Sequence, residues 1–213
     1  MAINTANSVF VGNDYAIERK LAALQETYHI NDGSGNLLAY VKRSGLDFTF
    51  ETFEGSRIGE IHGVEGARRA DEATALFDFQ VLDAEGKLVA TIKEIATPHP
   101  RTGFLKTAAW NFDFSWSVEG PAGEDLARIE RAPMTKSLQT PNGVTIAEFH
   151  RKVPALHQNC AVHITNPVMD QYLVLACLFA HPPTERLIRR PELETFGGVR
   201  RELRPREAED YQL

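Results

Sequence analysis

A few groups of residues in this chain have the types and spacing to do chemistry. Asp32, Ser34 and Asn36 alternate as the oxygen ligands of a calcium loop do. The sixth position of such a loop is Leu37, where glycine is needed, and the twelfth is Arg43, where a bidentate glutamate closes the shell. The stretch therefore reads as a hairpin turn. His150, His157 and His163 fall within fourteen residues, and three imidazoles can hold zinc. Their spacing matches no helical ligand motif, so scattered surface or core histidines are the preferred reading. Asp170 opens an apolar run, where it is either a buried acid with a raised pKa or a helix cap, and its place in the first turn favours the cap. Basic residues recur as Lys42-Arg43, Arg68-Arg69, Arg101 with Lys106, Arg151-Lys152 and Arg189-Arg190. No nucleophile elbow, phosphate loop, dinucleotide fingerprint or His-Glu-x-x-His motif occurs, so no catalytic residue, cofactor or metal is assigned.

The elements that must position these groups follow a period of 2. Trp110, Phe112, Phe114, Trp116 and Val118 alternate with polar residues, as do Leu46, Phe48 and Phe50, then Phe77, Phe79 and Val81, then Cys160, Val162 and Ile164. Gly-rich polar stretches at 32–36, 83–86 and 120–123 separate apolar runs as hairpin loops do. The first two sit in a short internal echo, strand, Asp-x-x-Gly turn and strand, whose second strands carry Lys42 and Lys93. Residues 16–27 suit a short helix or an opening strand, and 97–106 a loop. Residues 168–180 are different, apolar on all sides beyond the first turn and bounded by Pro167 and by Pro182-Pro183. As a helix they reach roughly 20 Å, short of a hydrocarbon core of roughly 30 Å, so they are read as buried in protein. In a chain of strands, the place for such a helix is inside a closed sheet.

Composition narrows the class. With 213 residues the chain can bury a sizeable core, and 43% hydrophobic with 24% charged residues is ordinary for a folded domain. A net charge of −6 argues against a nucleic-acid binder and against non-specific adhesion to anionic membrane. Cys160 and Cys177 form no disulfide framework, and residues 1–20 lack a secretory signal pattern. A cytoplasmic protein without a transmembrane segment is expected.

The order of these pieces resembles the tubby-like superfamily, in particular the LURP-one-related proteins and their phospholipid-scramblase relatives. The resemblance rests on 28–42, 81–93, the stretch Val144-Thr-Ile-Ala-Glu-Phe-His-Arg-Lys152, and 161–180, and it covers about residues 20–183. It implies a mainly β fold, a closed antiparallel barrel of about twelve strands around a buried C-terminal hydrophobic helix. It also implies headgroup recognition by clustered surface cations, for which Lys42, Arg43, Lys93, Arg151 and Lys152 are the candidates if Lys42, Lys93 and Lys152 end neighbouring strands. Two departures set this chain apart: thirty residues follow 183, and the cysteine-rich and proline-rich scramblase segments are missing.

The resulting expectation is a barrel domain over 1–183, with its central helix at 168–181, and a polar tail over 184–213 that carries seven basic and seven acidic residues. Its function is expected to be that of a non-enzymatic module, cytoplasmic and peripheral to a membrane. It would engage a phosphoinositide, another anionic lipid surface or a protein partner through the barrel surface. The alternatives are a structural or assembly protein using the tail, and an enzyme or ligand carrier using a barrel cavity lined by the aromatic strand 110–118.

Overall fold

Alternating sequence becomes antiparallel sheet. The structure, a computed structural model, describes residues 9–21, 26–65, 77–98, 112–131, 135–151 and 160–180. They form twelve strands: β1 (Asp14–Leu21), β2 (Glu26–Asp32), β3 (Leu37–Ser44), β4 (Asp47–Thr52), β5 (Arg57–Glu65), β6 (Phe77–Asp83), β7 (Leu88–Pro98), β8 (Phe112–Glu119), β9 (Asp125–Arg131), β10 (Thr135–Gln139), β11 (Thr145–Arg151) and β12 (Cys160–Ile164). Each pairs with its sequence neighbours, and β1 pairs with β12 to close the barrel. Residues 16–21 are thus strand rather than helix, and β7 runs through Thr97 and Pro98, which were expected to be loop. Trp110, the rest of the 97–106 loop and the tail 184–213 lie outside the described residues.

One rim of the barrel is built from a single device repeated five times. In the connections β2–β3, β4–β5, β6–β7, β8–β9 and β10–β11, the N–H of the first turn residue donates to the carbonyl four residues on, at 2.8–3.0 Å. The fourth residue is always a glycine with φ between 79° and 87°: Gly35, Gly55, Gly86, Gly123 and Gly143. This is a three-residue loop closed by a left-handed bulge, for which glycine carries no steric penalty. The stretch read as a hairpin turn despite its calcium-loop spacing is part of it: Asp32 Oδ1 accepts from the N–H groups of Ser34 and Asn36 at 2.9 and 2.8 Å. Asp83 Oδ1 accepts from Glu85 and Lys87 in the same way, which explains the echo in the sequence. The bonds to Asn36 and the backbone hold the Asp32 carboxyl below its ordinary pKa.

The barrel is filled by α1 (Gln171–Ala180). The helix starts three residues later than the expected 168, because the Asp170 carboxylate accepts from the N–H of Tyr172 at 2.8 Å and of Leu173 at 3.3 Å. Asp170 is therefore the N-cap and precedes the first turn, and Pro167 stands outside the helix. Val168 is 63% exposed, so it does not belong to the buried run either, and residue 181 lies outside the described residues. From Tyr172 to Ala180 every residue is buried except the half-buried Leu178, with the inner faces of all twelve strands around them. Each large aliphatic or aromatic side chain so removed from water contributes roughly 1.5–3 kcal/mol. Near the far rim Phe179 packs against Tyr28, Phe48 and Phe50 at ring distances of 5.2, 5.7 and 5.2 Å.

Polar groups fix the helix near the turn rim. The Tyr172 hydroxyl donates to the carbonyl of Leu82 at 2.8 Å, with that of Glu60 3.2 Å away. It reaches them over Gly59, where an added Cβ would lie 2.4 Å from the hydroxyl and 2.5 Å from the Leu82 carbonyl. Tyr15 in turn bonds Gln171, the first helical residue, and Gly12.

Two predictions follow from this packing. Gly59→Ala forces the helix off the wall and lowers stability by about 2–3 kcal/mol, read as the shift of the urea midpoint; an unshifted midpoint would show that Tyr172 is not wedged there. Burial, the largest cause in each case, pushes Tyr15 from 10.0 up to about 12 and Cys177 from 9.0 up to about 12, and raises Tyr172 as well. A pKa raised in the fold stabilises it below the unfolded value and ceases to do so as pH climbs through the folded one. The contribution of these groups to stability is therefore level up to about pH 9 and falls between pH 9 and 12. Tyrosinate absorbance should rise together with loss of the far-ultraviolet dichroism, and ionisation of all tyrosines ahead of unfolding would contradict it.

Candidate functional site

Of the candidate headgroup residues, Lys42 and Lys93 do not end neighbouring strands. Lys42 is on β3, Lys93 on β7 and Arg151 on β11. In a closed ring of twelve these strands are four apart, a third of a turn each, which is as far from one another as three strands can be. Lys152 lies outside the described residues, as do Arg68, Arg69, Arg101, Lys106, Arg189 and Arg190.

The outward lysines are also neutralised where they stand. Lys42 Nζ is 2.5 Å from Glu51 and Lys93 Nζ is 2.5 Å from Glu119, each across a diagonal of its hairpin. Asp78 pairs directly with Lys93 across β6 and β7, so two carboxylates flank one ammonium. Burial raises the Asp78 pKa, Lys93 lowers it and Glu119 raises it. The histidines are similarly engaged on the outer face. His163 Nδ1 is 2.7 Å from Asp14 and His150 Nε2 is 3.1 Å from Glu148, while His157 lies outside the described residues. Among the described residues no three such ligands converge.

Arg43 behaves differently. It follows Ala39 and Val41 in the alternation, both fully buried, and so it belongs to the inner face of β3. Arg19 follows Tyr15 and Ile17 on β1, and Glu26 precedes Tyr28 and Ile30 on β2, all with the same inward phase. The three meet just inside the rim where α1 ends. Arg43 Nη1 donates to Glu26 Oε2 at 2.9 Å. Arg19 Nε lies 2.7 Å from Glu26 Oε1 without its N–H aimed at that oxygen, so this contact is ionic only. The Tyr28 hydroxyl donates to Glu26 Oε1, and burial raises its pKa. The Arg43 guanidinium also sits 5.6 Å over the Phe48 ring, and its Nε donates to the Gly45 carbonyl at 3.1 Å. One carboxylate thus serves two guanidinium groups, leaving one positive charge in excess at the mouth of the barrel.

Arg19 and Glu26 were not among the residues expected to bind. The signal that finds them is phase: a charged residue continuing the apolar positions of a strand at its very end. Read for local charge alone, Lys42 and Arg43 look equivalent, although they point to opposite sides of the sheet.

The side chains of this trio are 19–22% exposed, between a surface pair and a buried one. Glu26→Gln should therefore lower stability by about 1–2 kcal/mol, more than an exposed pair and less than a fully buried one, measured by urea unfolding near neutral pH. An unchanged midpoint would show that the carboxylate supplies shape and not charge.

No family model matches this chain, and neither does any curated protein. Among solved structures it is similar to a protein of Arabidopsis thaliana determined by X-ray crystallography. The two share 16% identity over 79% of this chain and 90% of that one, with a TM-score of 0.49.

Proposed function

We propose that this chain is a non-enzymatic binding module of the tubby-like, LURP-one-related kind, which engages an anionic phospholipid headgroup or a protein partner through the outside and rims of its barrel. The observation that carries this reading is the filled interior. A twelve-stranded barrel is wide enough to enclose a ligand, but here the side chains of α1 occupy that space from Tyr172 to Ala180. A carrier or an enzyme working in a central cavity has no room, so recognition falls to the surface. No helix among the described residues is long and apolar enough to cross a membrane. A cytoplasmic protein held at the membrane periphery by charge fits the same reading.

The test is vesicle flotation at low salt with phosphatidylcholine alone and with added phosphatidylinositol bisphosphate. The chain should rise only with the second set and be released as salt is raised, because screening shortens the reach of exposed charges. Equal recovery with both sets, or none with either, would sink the lipid version. Stable capture of a protein partner with no vesicle binding would favour the other half of the proposal.

A further inference from the structure

The five turns share one backbone device, but the rim they build is uneven in what it exposes. Four large hydrophobic side chains are exposed among the described residues: Val11 at 82%, Val168 at 63%, Phe53 at 62% and Val144 at 49%. All four stand at the turn rim, and none on the outer wall or at the mouth where α1 ends. Phe53 is in the β4–β5 turn. The other three belong to one arc of the ring, formed by the start of β11, the end of β12 and the start of β1. Backbone bonds tie that arc together: Thr165 and Asn166 donate to the Ile146 carbonyl at 2.9 and 3.0 Å, and Ile164 donates to that of Asn13 at 2.7 Å. Pro141 and Pro167 are exposed in the same arc, and residues 9–13, 140–144 and 165–169 hold no charged side chain.

Turn geometry does not require these side chains. The position that Val144 takes after its glycine is filled in the other four turns by Asn36, Ser56, Lys87 and Glu124, and its carbonyl accepts the same backbone bond in all five. A single exposed apolar residue is ordinary, but a set gathered at one end, with none elsewhere among the described residues, marks an interaction surface. The remainder of this rim is acidic. Segments 9–14, 32–36, 52–57, 83–87, 120–125, 140–144 and 165–170 together carry eight carboxylates against Arg57 and Lys87, a balance of −6 that equals the formal charge of the whole chain. Glu54, Glu85 and Glu124 are exposed among them. The field at this rim therefore draws cations and repels an anionic surface.

We infer that the turn rim is a docking face for a protein partner whose apolar side chains are flanked by lysine and arginine. Val11, Val144 and Val168 form its apolar ground, Phe53 is a second anchor across the ring, and the acidic turns are its charged border. The inference rests on the binding-module reading above and narrows it to a protein partner at one end of the barrel. Charge selects that occupant over the others. A second copy docked face to face would bring a rim of the same sign against this one. Residues 1–8, which lead into Val11, have no basic side chain. Residues 184–213 carry seven acids against seven bases, and they follow a helix that ends at the opposite mouth.

The probe is a synthetic helical peptide of leucine and lysine at amphipathic spacing, titrated against the full chain by fluorescence anisotropy. A peptide of the same pattern with glutamate in place of lysine is the control. The lysine peptide should bind and be released by salt, and the glutamate peptide should not bind. Val144→Ser and Val168→Ser should each weaken binding about five-fold, the effect of withdrawing a small apolar side chain from an interface. Glu54→Gln with Glu85→Gln should weaken it about three-fold, and Lys42→Gln on the outer wall should leave it within about two-fold. A measurement on the unaltered chain guards against a variant that misfolds: the methyl resonances of Val11, Val144 and Val168 should shift with the lysine peptide, while those of Val41 and Val81 in the core should not. Binding indifferent to the two valine substitutions, or no binding at low salt, overturns the docking face, and recovery on vesicles then decides the binding-module reading by itself. Self-association of the chain that the valine substitutions abolish would assign the rim to a second copy and overturn the inference as well.

Discussion

A closed sheet has an inside that must be filled, and most of this structure answers that requirement. Twelve strands enclose more space than their own side chains occupy, and an empty or wet lumen would forfeit the apolar burial that holds the barrel together. The ten residues of α1 are apolar around their whole circumference because the wall surrounds them on every side. The polar exceptions sit at its start, where Gln171 meets Tyr15 and Tyr172 reaches a strand carbonyl through the gap left by Gly59. These contacts set how deep the helix lies. In the proposed function, the same filling leaves recognition to the outer surfaces and rims.

Much of the fold was legible in the sequence because its signals are local. Alternation marks strands such as β4 and β8, and glycines four positions into polar stretches mark the turns. An apolar run too short for a bilayer and too long for a strand marks the helix. Boundaries set by single side chains were less so, as with α1, where Asp170 caps the helix from just outside it. The site was least legible. Whether Lys42, Lys93 and Lys152 converge depends on which strands are neighbours and on where the ring closes, and the seam between β1 and β12 joins residues nearly 150 positions apart. The inward phase of Arg19, Glu26 and Arg43 was present in the alternation, but it has meaning only once one face of the sheet is known to be enclosed.

The two faces treat the same residue types in different ways. On the outside, Lys42 and Lys93 each lie against a carboxylate in water, where such pairs contribute little and are easily replaced. On the inside, Arg43 and Arg19 share one carboxylate beside aromatic rings, where water screens less and each charge is felt more strongly. The internal echo between the β2–β3 and β6–β7 hairpins thus extends to the lysine pairs, but not to the mouth. Repetition built the frame, and the departures from it concentrate at one rim.

The position of α1 directly after β12 has a consequence for how the chain comes together. All strand pairings but one join sequence neighbours, so the sheet can grow as a meander of hairpins. The remaining seam, β1 with β12, turns the meander into a ring. Were it to close first, the helix would have to be threaded lengthwise into a finished tube. Wrapping an open, curling sheet around a helix already laid against it avoids that passage. The last strand and the plug then behave as one kinetic unit, and the ring is completed by the same event that seals its core.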